Sequence, residues 1–260
     1  MFDPNARSLA GKKGLVVGIA NDRSIAYGCA RAFKFLGAED LAITYLNEKA
    51  RPHVEPLAKE LEAGIFLPMD AAAEGQMEAV FSEIESRWGR LDFLLHSIAY
   101  ARKEDLHGRL VDCSKEGFLA ALEISCYSFI RMAHLAEPLM TNGGAMFTMS
   151  YYGADKVIEN YNVMGPVKAA LEASTRYMAW ELGPKGIRVH AISPGPLATR
   201  AASGLKHFDQ LLDKAAAEAP ARQLVTIEDV GIACASLATD AARLITGETI
   251  YIDGGLHIVA

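Results

Sequence analysis

Three side chains in this sequence are suited to moving a proton: Tyr151, Tyr161 and Lys168. Tyr161 and Lys168 stand seven residues apart. A helix opening at Tyr161 would therefore return Lys168 to the same face, about two turns and roughly 10 Å further on. A lysine side chain leans back toward the helix N-terminus, so its ammonium would approach whatever the phenol touches. A cation beside a phenol favours phenolate and draws the tyrosine pKa down from about 10 toward working pH. The pair would be an adjustable proton donor. Spacing alone does not single it out, because Tyr27 and Lys34 have the same separation.

The elements that must position such a pair follow a regular rhythm. The apolar run 15–20 is too short for a helix and suits a strand buried on both faces. A turn at 21–24 leads into a helical pattern over 25–37, with Ser24 at its N-cap and Gly37 closing it. Strand-like runs recur at 41–45, 65–69, 91–96, 145–149, 187–192 and 248–252, with helical patterns at 49–62, 74–88, 114–140 and 161–182. Seven strands alternating with helices predict a Rossmann-type, doubly wound parallel sheet, with ligand at the carboxyl ends of the strands. No linker or repeat divides the chain, so residues 1–260 read as a single dinucleotide-binding and catalytic domain. One segment breaks the pattern: residues 193–222 hold two proline-bounded turns around an Ala-rich helical piece, a candidate substrate lid.

Composition narrows the function. A chain of 260 residues, 51% hydrophobic, has ample apolar surface for a substantial core. The net charge of -6 is spread without a basic cluster, which argues against a nucleic-acid footprint and against docking on an anionic membrane. Cys29, Cys113, Cys126 and Cys234 lie far apart without a neighbouring His, so they predict buried thiols and neither a metal site nor a disulfide framework. The N-terminus lacks the apolar run of a signal peptide, and no stretch approaches 18 uncharged apolar residues. A cytoplasmic protein acting on small molecules is the expectation.

A dinucleotide would meet the first strand-to-helix turn. The turn is Gly18-x5-Ser24-x3-Gly28 in place of Gly-x-Gly-x-x-Gly, with Gly18 permitting close backbone approach. The helix start near Ser24 offers unpaired N–H groups and a hydroxyl to a pyrophosphate. After the second strand come Leu46, Asn47 and Glu48, which favour the free ribose of NADH over the 2′-phosphate of NADPH, although Lys49 and Arg51 follow. Asp70, ending the third strand, is placed to accept from an adenine amino group. Ser97, with Ile98 and Ala99, would lie beneath a nicotinamide ribose. His96 is assigned no role.

These pieces together resemble a known family. Gly18-x5-Ser24-Ile-Ala-Tyr-Gly28, His96-Ser-Ile98, Ser150-Tyr151 with Gly153-Ala154, and Asn160-Tyr161-Asn-Val-Met-Gly165 with Lys168 carry the resemblance. So do Ser193-x-Gly195-Pro196-x-x-Thr199-x-Ala201-Ala-Ser-Gly204 and Asp253-Gly-Gly255. They resemble enoyl-acyl-carrier-protein reductases of bacterial fatty acid synthesis, a branch of the short-chain dehydrogenase/reductase superfamily. Ordinary superfamily members place a Ser about a dozen residues before the Tyr, a neighbourhood taken here by Tyr151.

The resemblance implies that NADH delivers hydride to the β-carbon of a trans-2-enoyl thioester and that the resulting enolate is protonated at the α-carbon. It implies that Tyr161 donates a hydrogen bond to the thioester oxygen, that Lys168 holds the nicotinamide ribose, and that Tyr151 lines the entrance. Gly18, Ser24, Ile25, Leu46, Asp70, Ala71, Ser97, Ile98, Ala99, Lys168, Pro196, Leu197 and Thr199 would hold the cofactor, with the backbone near Ile192 meeting its carboxamide. Tyr151, Tyr152, Met164, Ala201 and Leu205, with Leu197, would wall the acyl chain. It further implies an acyl carrier protein as substrate carrier and a homotetramer built on the 114–140 and 161–182 helices and the tail 256–260. Tyr127, Phe129, Met132, Tyr177, Met178 and Trp180 are the apolar residues expected on those helices. Two departures stand out: the lid helix retains only Lys206 as a cation, next to His207, Asp209 and Gln210, with Arg200 upstream; and Pro194 occupies a position usually small. Two rival readings remain: a short-chain carbonyl reductase or alcohol dehydrogenase, and a non-catalytic NAD(H)-binding sensor.

Overall fold

A computed structural model of the chain describes residue 6, residues 8–199 and residues 208–259. Among them the chain runs β1 (Lys13–Val17), α1 (Ile25–Phe35), β2 (Asp40–Tyr45), α2 (Arg51–Glu60), β3 (Ile65–Pro68), α3 (Gln76–Trp88) and β4 (Phe93–His96). It continues through α4 (Lys103–His107), α5 (Lys115–Leu122), α6 (Ser128–Ala136), β5 (Gly144–Met149), α7 (Met164–Leu182), β6 (Ile187–Pro194), α8 (Phe208–Glu218), α9 (Ile227–Ala238) and β7 (Thr249–Ile252). All pairings are parallel, and the seven-stranded order is β3-β2-β1-β4-β5-β6-β7. Winding reverses between β1 and β4, which opens a crevice above their carboxyl ends.

The strands read as continuous apolar runs because both faces are covered. Leu15 and Val17 face one core layer, with Leu94, Met146, Phe129 and Val167; Val16 faces the other, with Phe33, Ile43, Phe147 and Val230. That split follows from the two-residue side-chain period of a strand. On the second face α1 meets α9 closely, and glycine permits it: a Cβ on Gly28 would come within 2.3 Å of the Ile227 carbonyl oxygen, and one on Gly231 within 2.4 Å of that of Gly28.

The structure departs from the sequence expectations at several points. The helix expected over 114–140 is interrupted by a π-turn, Glu123–Tyr127, between α5 and α6, and closes in a 3₁₀ turn at Glu137–Leu139. By length and composition the run Lys115–Leu139 could cross a membrane. In the fold its Phe129, Met132, Ala133 and Ala136 bury against the sheet, and Arg131 pairs with Glu78 at 2.8 Å. The helix expected from Tyr161 begins at Met164. Short α4 and the whole of α9 were not anticipated. Of the six apolar residues expected to face a partner, Phe129, Met132 and Met178 belong to the core, while Tyr127, Tyr177 and Trp180 are exposed. Cys29, Cys126 and Cys234 are buried, and Cys113 is half-buried.

Candidate active site

Tyr161 sits in a turn ahead of α7, so the helical-face argument does not place it. Asn160 and Asn162 flank it with φ of 62° and 37°, a left-handed conformation that asparagine tolerates better than most residues. The Tyr161 carbonyl accepts from Met164 N–H at 3.0 Å, which joins the turn to the first residue of α7, and Asn162 Nδ2 donates to the Gly108 carbonyl. The ring rests on Gly153, where a Cβ would come within 2.6 Å of Tyr161 Cδ1. Tyr151 meets it edge to face, with centroids 5.1 Å apart. The Tyr151 hydroxyl is buried and makes no hydrogen bond.

Lys168 lies inside α7, 4% exposed, and its Nζ donates to the Met149 carbonyl at 2.6 Å. Burial pushes its pKa down to about 8, opposed by the nearby Cys126 and Glu172. The expected depression of the Tyr161 pKa does not occur. Burial raises it, and the negative charge of Glu172 adds to the rise. Tyr151 is raised too, by burial first and then by neighbouring Tyr152. Both phenols therefore remain protonated hydrogen-bond donors at neutral pH. His96 is fully buried between Thr148 Oγ1 and Ser128 Oγ, each at 2.8 Å, and burial with the Lys168 charge lowers its pKa to about 3. It is a neutral strut.

A cavity of about 350 Å³ opens beside Tyr151 and Tyr161, lined also by Ile25, Ala99, Ser150, Met164, Pro196, Leu197 and Thr199 among others, while buried Lys168 and His96 are not part of its lining. It lies at the carboxyl ends of β4, β5 and β6. Leu211 of α8 also lines it, with Pro194 and Gly195, so the described parts of the 193–222 excursion border the cavity on both sides of residues 200–207. Ala201 and Leu205, with Arg200, Lys206 and His207, lie outside the described residues. Asp209 and Gln210 are exposed on α8.

Several predicted residues are placed differently from expectation. Tyr152 is buried with Ala215, Ala219 and Leu256 and takes no part in lining the cavity, because successive residues after β5 turn in opposite directions. Gly18, at φ 110°, is required by the protein itself: a Cβ would fall 2.0 Å from the Ser97 carbonyl oxygen. Ser24 stands at the N-cap of α1, but its hydroxyl makes no cap bond. It accepts from the N–H groups of Ala20 and Asn21 at 3.0 and 3.1 Å, fastening the turn. Ile192 is inside β6, paired with Met149 and Ile250, so its backbone is committed; the strand ends two residues later, at Pro194. Asp70 accepts from Ala72 N–H at 3.0 Å within the turn before α3. Ala71 and Ile98 pack on the core edge, and Leu46 is exposed at the end of β2.

Sequence reasoning missed the cavity wall from α4, including Lys103 and Leu106, and the loop holding Tyr100. Ser125, in the π-turn, fixes that loop: its hydroxyl accepts from Tyr100 N–H at 2.9 Å and donates to the Tyr100 carbonyl at 3.2 Å. No local pattern announces a π-turn. Helix α9 did announce itself, through the Thr226-x-x-Asp229 capping box whose reciprocal bonds the structure contains.

The sequence profile described as "Enoyl-(Acyl carrier protein) reductase" matches residues 18–257. The chain is 48% identical over 253 residues to an NADH-dependent enoyl-acyl-carrier-protein reductase of Haemophilus influenzae, covering 97% of this chain and 96% of that one. Its fold is similar to the enoyl-acyl-carrier-protein reductase of Anaplasma phagocytophilum in complex with NAD, with a TM-score of 0.93, 46% identity and 97% coverage of both chains. It is also similar to the Bacillus cereus enzyme with NADP+ and indole naphthyridinone, with a TM-score of 0.94 and 42% identity, covering 97% of this chain and 98% of that one.

Proposed function

This chain belongs to the enoyl-(acyl carrier protein) reductase family, and from that premise we propose how its residues divide the work of reducing an enoyl thioester. The protein is an NADH-dependent enoyl-acyl-carrier-protein reductase of fatty acid synthesis. When bound, the nicotinamide cofactor supplies hydride to the β-carbon of the trans-2-enoyl thioester. Tyr161 donates a hydrogen bond to the thioester oxygen as negative charge gathers there, an interaction stronger in the transition state than before it. A raised phenol pKa suits that role, since the group must keep its proton. Tyr151 presents its unpartnered hydroxyl at the cavity wall and helps orient the thioester. Lys168 holds the nicotinamide ribose. Met164 and Leu197 supply apolar wall to the acyl chain.

The residues present fit a dinucleotide. The crevice stands at the point where strand order reverses, with Ile25, Ala99, Pro196, Leu197 and Thr199 around it. Gly18, Ser24, Asp70, Ala71, Ser97 and Ile98, in the loops after β1, β3 and β4, would hold the rest of the cofactor, and the exposed Leu46 offers an apolar rest at the β2 end. Glu48 and Arg51 are in keeping with NADH as the cofactor, although exposed Lys49 stands between them. Arg51 lies 3.5 Å from Glu48 and 3.4 Å from Glu55, so its charge is already answered and a 2′-phosphate finds no free cation in it.

The observation that carries this reading is the meeting of Tyr151 and Tyr161 at the cavity with Lys168 buried behind them. Its test is oxidation of NADH by the purified protein with either a trans-2-enoyl or a 3-ketoacyl thioester. Oxidation with the enoyl substrate alone is expected. Oxidation only with the ketone would support the carbonyl-reductase reading, and binding of NADH without oxidation the sensor reading.

The protein acts in the cytoplasm on a thioester carried by acyl carrier protein, as a homotetramer. Exposed Tyr127, Tyr177 and Trp180 on neighbouring helices, with Ile258 and Val259 of the tail, form apolar surface that such an assembly would cover. Sedimentation as a monomer at micromolar concentration would overturn the tetramer.

A further inference from the structure

Two residues of α7, one turn apart, grip consecutive residues at the end of β5. Lys168 Nζ donates to the Met149 carbonyl at 2.6 Å, and Ser150 Oγ donates to Glu172 Oε1 at 2.5 Å. Thr249, at the start of β7, also lies near the Glu172 carboxylate and favours its charged form. The next residue after this grip is Tyr151. A cation and an anion thus sit one turn apart on α7, each tied to a neutral group of the strand end, with Lys168 buried and Glu172 half-buried. Charges in such surroundings act on one another more strongly than at a surface.

We infer that Glu172 is a positioning residue for enoyl reduction: held by Ser150, its carboxylate keeps the buried Lys168 protonated and so able to hold the nicotinamide ribose. The inference rests on the cofactor role given to Lys168 above. Burial alone drives a lysine toward its neutral form, and a neutral amine loses the charge that strengthens its bonds to ribose hydroxyls. Cys126 and Glu172 both oppose that loss, and of the two Glu172 is the carboxylate on the same helix. The same carboxylate discourages ionisation of Tyr161, so one charge maintains both partners in their donating forms. The other groups facing the pair are Arg176 on α7, Asp155 after β5 and Tyr251 on β7 toward Glu172, and Cys126 on the π-turn and His96 on β4 toward Lys168. Neutral His96 brings no charge. Arg176 is exposed, and water screens its cation.

The test is NADH affinity of the whole protein, read by cofactor fluorescence from neutral to alkaline pH. In the unaltered protein affinity falls as pH rises through about 8, where Lys168 loses its proton. Glu172→Gln keeps the size of the side chain and an acceptor for Ser150 but removes the charge. It is expected to move that fall to lower pH by about one unit, a roughly tenfold loss of affinity at pH near 8. Glu172→Ala is expected to shift it equally, and Glu172→Asp to leave it near its original pH. Ser150→Ala, which frees the carboxylate without removing it, is the second variant and should shift the fall part of the way. An unshifted fall in Glu172→Gln, with loss only in Glu172→Ala, would overturn the inference and leave the glutamate a structural brace. Failure of the unaltered protein to bind NADH at any pH would overturn the cofactor reading, and this inference with it.

Discussion

Tyr27 and Lys34 have the same separation as Tyr161 and Lys168, yet the two pairs end in opposite circumstances. Both members of the first pair lie on α1, so it is the one that obeys the helical geometry. Its phenol donates to Glu60 Oε1 of α2 at 2.8 Å, with the Arg31 guanidinium 5.8 Å from its ring centroid. Tyr27 thus joins α1 to α2. In the second pair only Lys168 is helical; Tyr161 reaches the cavity from a turn that two left-handed asparagines set. Spacing on a helix brings two side chains to one face but says nothing about what that face meets. Convergence of strand ends decides whether the face meets a cavity or a neighbouring helix.

The sharpest way to test the comparison is to remove each phenolic hydroxyl. Tyr161→Phe should lower kcat by about 10²–10³-fold, as loss of a donor aimed at developing charge does, with a much smaller change in NADH affinity. Steady-state kinetics beside a binding titration checks this. An equal loss of NADH binding would refute the division of labour between Tyr161 and Lys168.

The next largest effect concerns the pH dependence of stability without cofactor. Lys168 has a folded pKa of about 8 against an ordinary 10.5. Below pH 8 both folded and unfolded forms hold the proton, and the folded form bears the full cost of a buried cation. Between about 8 and 10.5 the folded form has released its proton while the unfolded form has not, so this group makes the protein more stable as pH rises. The gain is of order 3 kcal/mol. Denaturant unfolding of Lys168→Met should lack it, whereas Lys34→Met should retain it.

Lys168→Ala should weaken NADH binding by roughly 10–100-fold, the loss of charge-assisted hydrogen bonds, while Lys34→Ala leaves binding unchanged. Gly153→Ala would press a Cβ against the Tyr161 ring and is expected to cost about 1–3 kcal/mol of stability, together with a fall in kcat. The smallest effect belongs to Tyr27→Phe, which should cost about 1 kcal/mol in unfolding and leave kcat intact. A kcat loss in Tyr27→Phe matching that of Tyr161→Phe would collapse the contrast.

Much of the site was legible because the informative residues stand in short runs. Asn160-Tyr161-Asn162 and Ser150-Tyr151 with Gly153 marked the place, and the structure supplies reasons for them: left-handed turns on either side of a ring, and a bare backbone under it. Tyr152 was misread because composition does not reveal which way a side chain turns after a strand; its partners Ala215 and Leu256 lie far along the chain. Ser24 stands at the N-cap as expected, but its hydroxyl serves the loop before it and not the helix after it. The break in the long helix left no trace in its periodicity because a π-turn adds a single residue.

By itself the sequence determined the parallel sheet, through apolar runs alternating with amphipathic ones, and the residue types at the site. Both are written in neighbouring positions, where local geometry rules. Tertiary structure decided the order of the strands, the protonated state of Tyr161, the pKa of Lys168 near 8 and the charge beside it on Glu172. Those depend on burial and on distances between residues far apart in the chain, and an electrostatic energy is set by where charges end up in space and how much water remains around them.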